Sequence, residues 1–123
     1  MLLKELIEKL ETTDRGGWML NVAVHKAQAN EAYNNVSSAY ESNIFVDDNE
    51  EGFYFGPSYS QNLDAAMSLV PAGWNNLNIN QKDGVYSVTI NFANINDFSG
   101  TAYTVPMAIC VAALKFIAKK RSK

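Results

Sequence analysis

The feature that most constrains the fold is an uncharged apolar segment close to the C-terminus. The segment Thr104–Lys120 reads TVPMAICVAALKFIAKK, and from Val105 to Leu114 it carries no charged side chain. Because its apolar groups fall on every side of a helical wheel, it predicts a helix buried on all sides. Thr104 can cap the first turn, in which Pro106 loses no helical hydrogen bond. The segment is shorter than the roughly 20 apolar residues that cross a bilayer, so it predicts the centre of a hydrophobic core.

Two further helices are predicted near the N-terminus. Leu2–Leu10 spaces its leucines and its isoleucine at helical intervals, with charged residues on the other face. Trp18–Ala29 predicts a second helix, in which Trp18, Val22 and Ala29 share a face. A strand is the alternative for this segment, because valine favours strands.

A fourth helix is predicted over Gln61–Val70, between a polar start and the stop signals Pro71 and Gly73. Ser60 is the predicted N-cap, and Ser58 with Gln61 forms an alternative capping box. Its predicted apolar face comprises Leu63, Ala66, Met67 and Val70.

Strand patterns occupy the region between the last two helices. Trp74–Asn80 and Val85–Phe92 predict two strands joined by a hairpin turn at Asp83-Gly84. Polar and apolar residues alternate along Val85–Phe92, as expected for a sheet that helices cover on its apolar face. Ala93–Gly100 is predicted to be a polar loop.

The segment before Gly56 is the least periodic. Ile44–Val46 and Phe53–Phe55 predict two short strands around the acidic turn Asp47–Gly52. The carboxylates of this turn do not have the spacing of a calcium-binding EF-hand loop, so we interpret the turn as a solvated hairpin loop.

Length and charge limit the classes of function. The 123 residues suffice for one domain, 1–123, with a single core. The net charge is −3, and between Ala27 and Leu114 Lys82 is the only basic residue. Nucleic-acid binding needs many phosphate-neutralising Lys or Arg side chains, so we expect neither a nucleic-acid partner nor, from the short apolar segment, a membrane one. The single cysteine, Cys110, fits a reducing compartment.

The residues that usually carry catalysis are scarce. A catalytic dyad would have to use His25, the only histidine, with Cys110, which lies in an apolar run where thiols are normally packing groups. Two such residues are too few for a structural zinc site. Gly16-Gly17 is not followed by the Gly-Lys-Ser/Thr ending of a phosphate-binding loop. We therefore expect no catalytic residues, no metal and no cofactor.

Aromatic and amide side chains are the better candidates for a binding surface, because they can stack on a planar ligand and hydrogen-bond to it. The candidate ligand-binding residues are Trp74, Tyr59, Asn76, Asn78, Tyr86 and Lys82. The competing interpretation is that Trp74 packs beside the end of a helix and that the asparagines reflect an AT-rich genome.

Two segments also resemble a known family. Tyr59–Trp74 (YSQNLDAAMSLVPAGW) and Ala108–Leu114 (AICVAAL) are similar to the small bacteriophage proteins of the phage ABA sandwich domain. The resemblance spans residues 57–116, about half of the chain. Residues 30–55 match no part of the pattern, and Val111 stands where the family often has a charged residue.

The resemblance implies an α+β fold: a three-layer α/β/α sandwich with a small, mostly antiparallel sheet and a buried C-terminal helix. It also implies a phage or prophage origin and a location in the cytoplasm of the infected or lysogenic bacterial host. It implies no catalytic residues.

Two functions follow as hypotheses, and an enzyme has the least support. The first is a non-enzymatic phage accessory protein that binds a host protein or itself, in counter-defence. A homodimer is expected, because a small sheet with a flat polar face and exposed aromatics favours an isologous contact. The alternative is a sponge that sequesters a nucleotide-type host immune signal. Its phosphates would rely on Lys82, Arg15, Lys26 and the open N–H groups at the helix starts near Ser60 and Thr104.

Overall fold

The chain forms helices and two small antiparallel sheets in the residues that the computed structural model describes, which are 3–29, 44–46, 52–54, 57–93 and 95–121. The helices are Leu3–Thr12 (α1), Trp18–Ala29 (α2), Leu63–Met67 (α3) and Val105–Arg121 (α4). The strands are Ile44–Val46 (β1), Gly52–Tyr54 (β2), Trp74–Lys82 (β3), Val85–Phe92 (β4) and Phe98–Ala102 (β5). The predicted α+β class is confirmed.

The larger sheet has the strand order β3-β4-β5, and both pairings are antiparallel. The predicted turn between β3 and β4 is confirmed. Asp83 has φ 54° and Gly84 has φ 80°, and positive φ at both central residues is the geometry of a type I′ hairpin turn. This turn twists in the same sense as the strands that it joins, so it fixes their register. That register places Leu77 opposite Ile90 and Ile79 opposite Val88.

The alternation along β4 gives the sheet two different faces. Val88 and Ile90 are buried beneath α4, whereas Thr89 and Asn91 lie on the opposite face. The Thr89 and Ser99 hydroxyls are 3.1 Å apart on that polar face. The predicted division of β4 into an apolar and a polar side is therefore confirmed.

Helix α4 is the centre of the fold, as its uncharged sequence predicts. It packs on β4 and β5 and also contacts the other three helices. Every residue from Met107 to Leu114 is at most 1% exposed. The predicted cap is present, since the Met107 N–H donates to Thr104 Oγ1 at 3.3 Å.

Helices α1 and α2 are confirmed as well. Leu3, Leu6 and Leu10 of α1 are buried. The segment Trp18–Ala29 is a helix, so the strand alternative for it is wrong.

The prediction of a polar loop over Ala93–Gly100 is wrong in its second half. Phe98–Ala102 forms β5, which pairs with β4 from Tyr86 to Ile90. A Cβ atom on Gly100 would lie 2.3 Å from the Ala108 carbonyl oxygen. The glycine that argues against a strand in the sequence is thus required for α4 to approach β5 closely.

The predicted helix over Gln61–Val70 is shorter than expected and starts differently. It spans only Leu63–Met67, and its N-cap is Asn62, whose Oδ1 accepts from the Ala65 N–H at 2.9 Å. Ser60, the predicted cap, is buried and bonded elsewhere. Leu63 belongs to the predicted apolar face but is 49% exposed, whereas Ala66 is buried.

A layer of helices on both faces of the sheet is not confirmed. The exposed side chains of the polar face are Asn76, Asn78, Asn80, Ser99 and Thr101. The helices of the described residues gather around α4, on the apolar face.

The smaller sheet is formed by β1 and β2, which pair as predicted, with Phe45 opposite Phe53. The acidic loop 47–51 and Phe55 lie outside the described residues, as does most of the segment 30–55.

Candidate functional site

The predicted ligand-binding residues lie in four separate places, and Tyr59 is in the interior. Its side chain is 5% exposed, and its ring stacks on that of His25 with the centroids 6.3 Å apart. Its carbonyl oxygen accepts a hydrogen bond from Cys110 Sγ at 3.2 Å. Tyr59 therefore packs between α2 and α4 and presents no surface to a ligand.

Asn76 and Asn78 lie together on the polar face of the sheet. The Nδ2 group of each donates to Asn91 Oδ1, and each distance is 3.2 Å. The three amides form a row across β3 and β4 that faces solvent. Their remaining donors and acceptors are directed outward, so this pair is the part of the predicted set that could meet a polar partner.

Trp74, Tyr86 and Lys82 occupy the two ends of the hairpin. Trp74 is opposite Phe92 at one end, and Tyr86 is opposite Gln81 at the other. Phe92 and Tyr86 are six positions apart along β4, which is about 20 Å. Lys82 is exposed beside the turn. The six residues do not line one pocket, and their role in binding a ligand stays a prediction.

A buried polar cluster joins the start of α2 to the turn before α3. The Ser60 N–H and hydroxyl both donate to Asn21 Oδ1, at 2.8 and 2.6 Å. The Gly17 N–H donates to Ser60 Oγ at 3.1 Å, and Asn21 Nδ2 donates to Gln61 Oε1 at 2.9 Å. Because its buried polar atoms bond to one another, the cluster stabilises the fold.

The one thiol is unsuited to nucleophilic chemistry. Cys110 is fully buried in α4, and this burial raises the pKa of its thiol from 9.0 to about 12. The thiolate is the nucleophilic form, and it is scarce at neutral pH with so high a pKa. Within the described residues, no group of three or more His, Cys, Asp or Glu side chains is placed to hold a metal ion.

A groove between α1 and α4 has a volume of about 660 Å³. It is lined by Leu3, Lys4, Ile7, Glu8, Glu11, Lys115 and Ala118. This volume lies in the range of small-molecule sites. However, Glu11 and Lys115 form an ion pair of 3.7 Å at its wall, and both acidic and basic side chains line it. The groove is therefore not selective for an anionic ligand.

The most unusual surface of the described residues is the outer side of β3. We call it the β3 edge and define it as the side chains of Trp74, Leu77 and Ile79 with the unpaired main-chain side of the strand. Trp74 is 41% and Ile79 45% exposed, although both project from the face of the sheet that α4 covers. Helix α4 packs on β4 and β5, so β3 extends beyond its cover.

The β3 edge has a rigid support at one end. The rings of Phe92, Phe98 and Phe116 pack together, with centroids 5.0 to 6.2 Å apart. Lys119 Nζ lies 5.8 Å from the centroid of the Phe98 ring. This cluster joins the sheet to the last turns of α4, and Trp74 lies opposite Phe92 beside it.

Sequence reasoning missed Leu77 and Ile79, although a signal was present. The two residues alternate with Asn76, Asn78 and Asn80, which indicates a strand with one apolar face. The prediction considered β3 only as a row of hydrogen-bonding asparagines, so the apolar face formed by Leu77 and Ile79 was not recognised. The exposure of that face follows from the position of α4, which the pattern of β3 does not encode.

Comparison of the chain with models of protein families, with curated proteins and with solved structures finds no match. Among the helices of the described residues, none combines the length and the apolar character that crossing a membrane requires.

Proposed function

We propose that this is a small phage-encoded accessory protein that acts by binding, without an enzymatic reaction, and that it binds through the β3 edge. The observation that carries the proposal is the exposure of Trp74 and Ile79 on a strand with one side unpaired among the described residues. Large apolar side chains at an unpaired sheet edge favour association with another chain. The partner is a second copy of this chain or a host protein, and the activity served is counter-defence.

The phage part of the proposal is supported by the resemblance of residues 57–116 to the phage ABA sandwich domain. It includes the cytoplasm of the infected or lysogenic bacterial host as the location. The helical layer over the polar face of the sheet, which would complete an α/β/α sandwich, also belongs to the proposal. The non-enzymatic part is supported by Cys110, whose buried thiol is poorly placed to react.

The alternative, a sponge for a nucleotide-type immune signal, has weaker support. Tyr59 is buried, and Trp74 lies on the other face of the sheet from the amide row. The groove between α1 and α4 has a suitable volume, but Glu8 and Glu11 line it together with its two lysines. Carboxylates at these positions would repel the phosphates of such a signal.

Native mass spectrometry of the full chain, purified from infected cells and measured again after denaturation, tests the proposal. We expect a complex that contains only polypeptide, either a dimer or this chain with a host protein. The complex should be lost in Ile79→Asp, because the substitution places a charge in the contact. Ile95→Asp is the matched control, since Ile95 is a 48% exposed isoleucine outside β3.

Two outcomes would contradict the proposal. A small molecule released on denaturation would favour the sponge. A complex that survives Ile79→Asp as well as it survives Ile95→Asp would show that the β3 edge is not the binding surface.

A further inference from the structure

The main-chain groups on the free side of β3 can be assigned from the hairpin turn. In a two-residue turn the flanking residues, Lys82 and Val85, form a hydrogen-bonded pair, and such pairs alternate with non-hydrogen-bonded ones. Asn80 and Asn78 therefore direct their N–H and C=O groups toward β4. Those of Ile79 and Leu77 are directed outward, so the edge presents regularly spaced donors and acceptors to a further strand.

The edge lacks most of the features by which proteins prevent such pairing. Natural edge strands carry inward charges, proline, or bulges, or are very short. β3 has nine residues and no proline, and its only charge is Lys82 at its last position. Its single irregularity lies between Trp74 and Asn76, at the first position of the strand. The stretch from Asn76 to Gln81 is thus an open template for an extended chain.

The sequence of β3 also has a symmetry that points to one particular partner. About Asn78 it reads as a near palindrome: Asn76-Leu77-Asn78-Ile79-Asn80 has asparagine, aliphatic, asparagine, aliphatic and asparagine in either direction. The next positions outward, Asn75 and Gln81, are again both amides. A strand with this symmetry is complementary to an antiparallel copy of itself, as a two-fold symmetric interface requires.

We propose that β3 pairs antiparallel with β3 of a second copy about a two-fold axis at Asn78, giving a continuous six-stranded sheet. This inference rests on the proposed function, because it names the partner of the β3 edge. A two-fold axis perpendicular to the sheet keeps both apolar faces on one side. It places Leu77 opposite the partner's Ile79, and Asn76 opposite the partner's Asn80.

The register about Asn78 is the one that the side chains favour. It pairs the main-chain groups of Leu77 and the partner's Ile79, which are the groups directed outward. A register about Ile79 instead would set Leu77 against the partner's Gln81, an aliphatic side chain against an amide. Cross-strand pairs of matched character are the ones that stabilise a sheet.

The position of the one charged residue of β3 and the exposure of its apolar face are consistent with the same pairing. Lys82, the one charge of the strand, lies four positions from the axis, so the two copies of this charge are about 27 Å apart and repel each other little. On the apolar face, the exposed Ile79 of each copy lies beside the partner's Leu77, which packs partly on the core of its own copy, so the pairing shields Ile79 from water. The contact is about 30 Å long and one strand wide, so we expect a dimer that dissociates on dilution.

Cysteine cross-linking of the full chain tests the register, in a Cys110→Ala background that removes the native thiol. Across the axis the two residues 78 form a non-hydrogen-bonded pair with Cα atoms about 4.5 Å apart, which a disulfide can span. Asn78→Cys should therefore yield a disulfide-linked dimer under mild oxidation. Asn76→Cys is the matched control: it lies on the same face and bonds to the same Asn91 oxygen.

In the proposed register the two residues 76 are about 14 Å apart along the strands, so Asn76→Cys should form at least tenfold less dimer. A mixture of Asn76→Cys and Asn80→Cys chains should cross-link as mixed dimers. Equal cross-linking of Asn76→Cys and Asn78→Cys, or none in any variant while circular dichroism shows them folded, would overturn the inference.

Failure of this inference is distinguishable from failure of the proposed function. A native dimer or host-protein complex that is sensitive to Ile79→Asp, without the Asn78→Cys cross-link, would leave binding through the β3 edge and reject the symmetric pairing. A monomer that shows neither a complex nor a cross-link would reject both.

Discussion

Helix α4 and strand β3 both carry uncharged segments, yet they lie in opposite environments. From Met107 to Leu114 every residue of α4 is buried, whereas eight of the nine residues of β3 are exposed. The difference arises from what surrounds them. The sheet and the three other helices all contact α4, whereas in the part of the chain that the structure describes β3 pairs only with β4, on one side. Burial in this protein is thus decided by the number of neighbours that an element has within the chain.

The comparison also separates two roles of apolar residues. The apolar residues of α4 are buried within one copy, so they contribute to the stability of the monomer. On the β3 edge, Leu77 packs partly against the core, but Trp74 and Ile79 are exposed in one copy, so these two contribute to association. Substitutions of the same residue type in the two elements should therefore affect different measurements.

The largest expected effect is the difference in stability between two isoleucine substitutions, one in α4 and one in β3. Ile109→Ala removes a fully buried side chain from α4 and should lower the free energy of unfolding by about 2–5 kcal/mol. Ile79→Ala should change it by less than about 1 kcal/mol at concentrations where the protein is monomeric. Urea denaturation of both variants, followed by circular dichroism, measures the difference. Equal losses in the two variants would show that Ile79 belongs to the monomer core.

Gly100 tests the close contact between α4 and the sheet. Gly100→Ala places a Cβ atom 2.3 Å from the Ala108 carbonyl oxygen and 2.6 Å from the Ala112 nitrogen. Because both neighbours are backbone atoms, the helix must shift, and we expect a loss of about 3 kcal/mol in the free energy of unfolding. Gly17→Ala is the control, since its added Cβ would meet no atom of the described residues within 4 Å, its two chain neighbours apart, and its stability should change by less than about 1 kcal/mol.

Two asparagine substitutions form a second matched pair, because Asn21 is buried and Asn76 is exposed on β3. Asn21→Ala removes the acceptor of the buried Ser60 N–H and should cost about 2 kcal/mol of unfolding free energy. Asn76→Ala removes an exposed amide contact and should cost less than about 0.5 kcal/mol. Thermal denaturation compares the two. A loss for Asn76→Ala as large as that for Asn21→Ala would mean that the polar face of the sheet is covered.

The smallest expected effect is a pH dependence from Cys110. Its pKa rises from 9.0 in the exposed state to about 12 in the folded protein. The unfolded thiol therefore ionises first, and the free energy of unfolding should fall as the pH rises from about 9 toward about 12. Relative to Cys110→Ala, the loss between about pH 9 and about pH 10 should be near 1 kcal/mol. Identical pH profiles of the two proteins would mean that the thiol is accessible to solvent when folded.

Much of the fold could be predicted because local patterns specified it. The uncharged run predicted the burial of α4, the leucine spacing predicted α1, and Asp83-Gly84 predicted the hairpin that joins β3 to β4. In each case the determining residues are neighbours in the sequence. The bounds of Trp18–Ala29 were predicted for the same reason, although its valines left a strand open.

The errors concern features that depend on distant residues. The start of β5 was predicted as part of a polar loop, and the close approach of α4 that explains Gly100 involves residues outside that local pattern. Ser60 was predicted as a helix cap, but its hydroxyl bonds to Asn21, 39 residues earlier. The predicted ligand residues were likewise grouped by chemical type, and the register shift between Trp74 and Asn76 sends these two side chains to opposite faces.

The central claim is that the outward main-chain groups of β3 pair with another chain. Residue-resolved amide hydrogen exchange on the wild-type protein, at a high and a low protein concentration, tests it most directly. We predict that the amides of Leu77 and Ile79 are protected at high concentration and lose protection on dilution, while those of Asn78 and Asn80, bonded to β4, stay protected throughout. Rapid exchange of Leu77 and Ile79 at both concentrations, or protection that dilution does not change, would contradict the account.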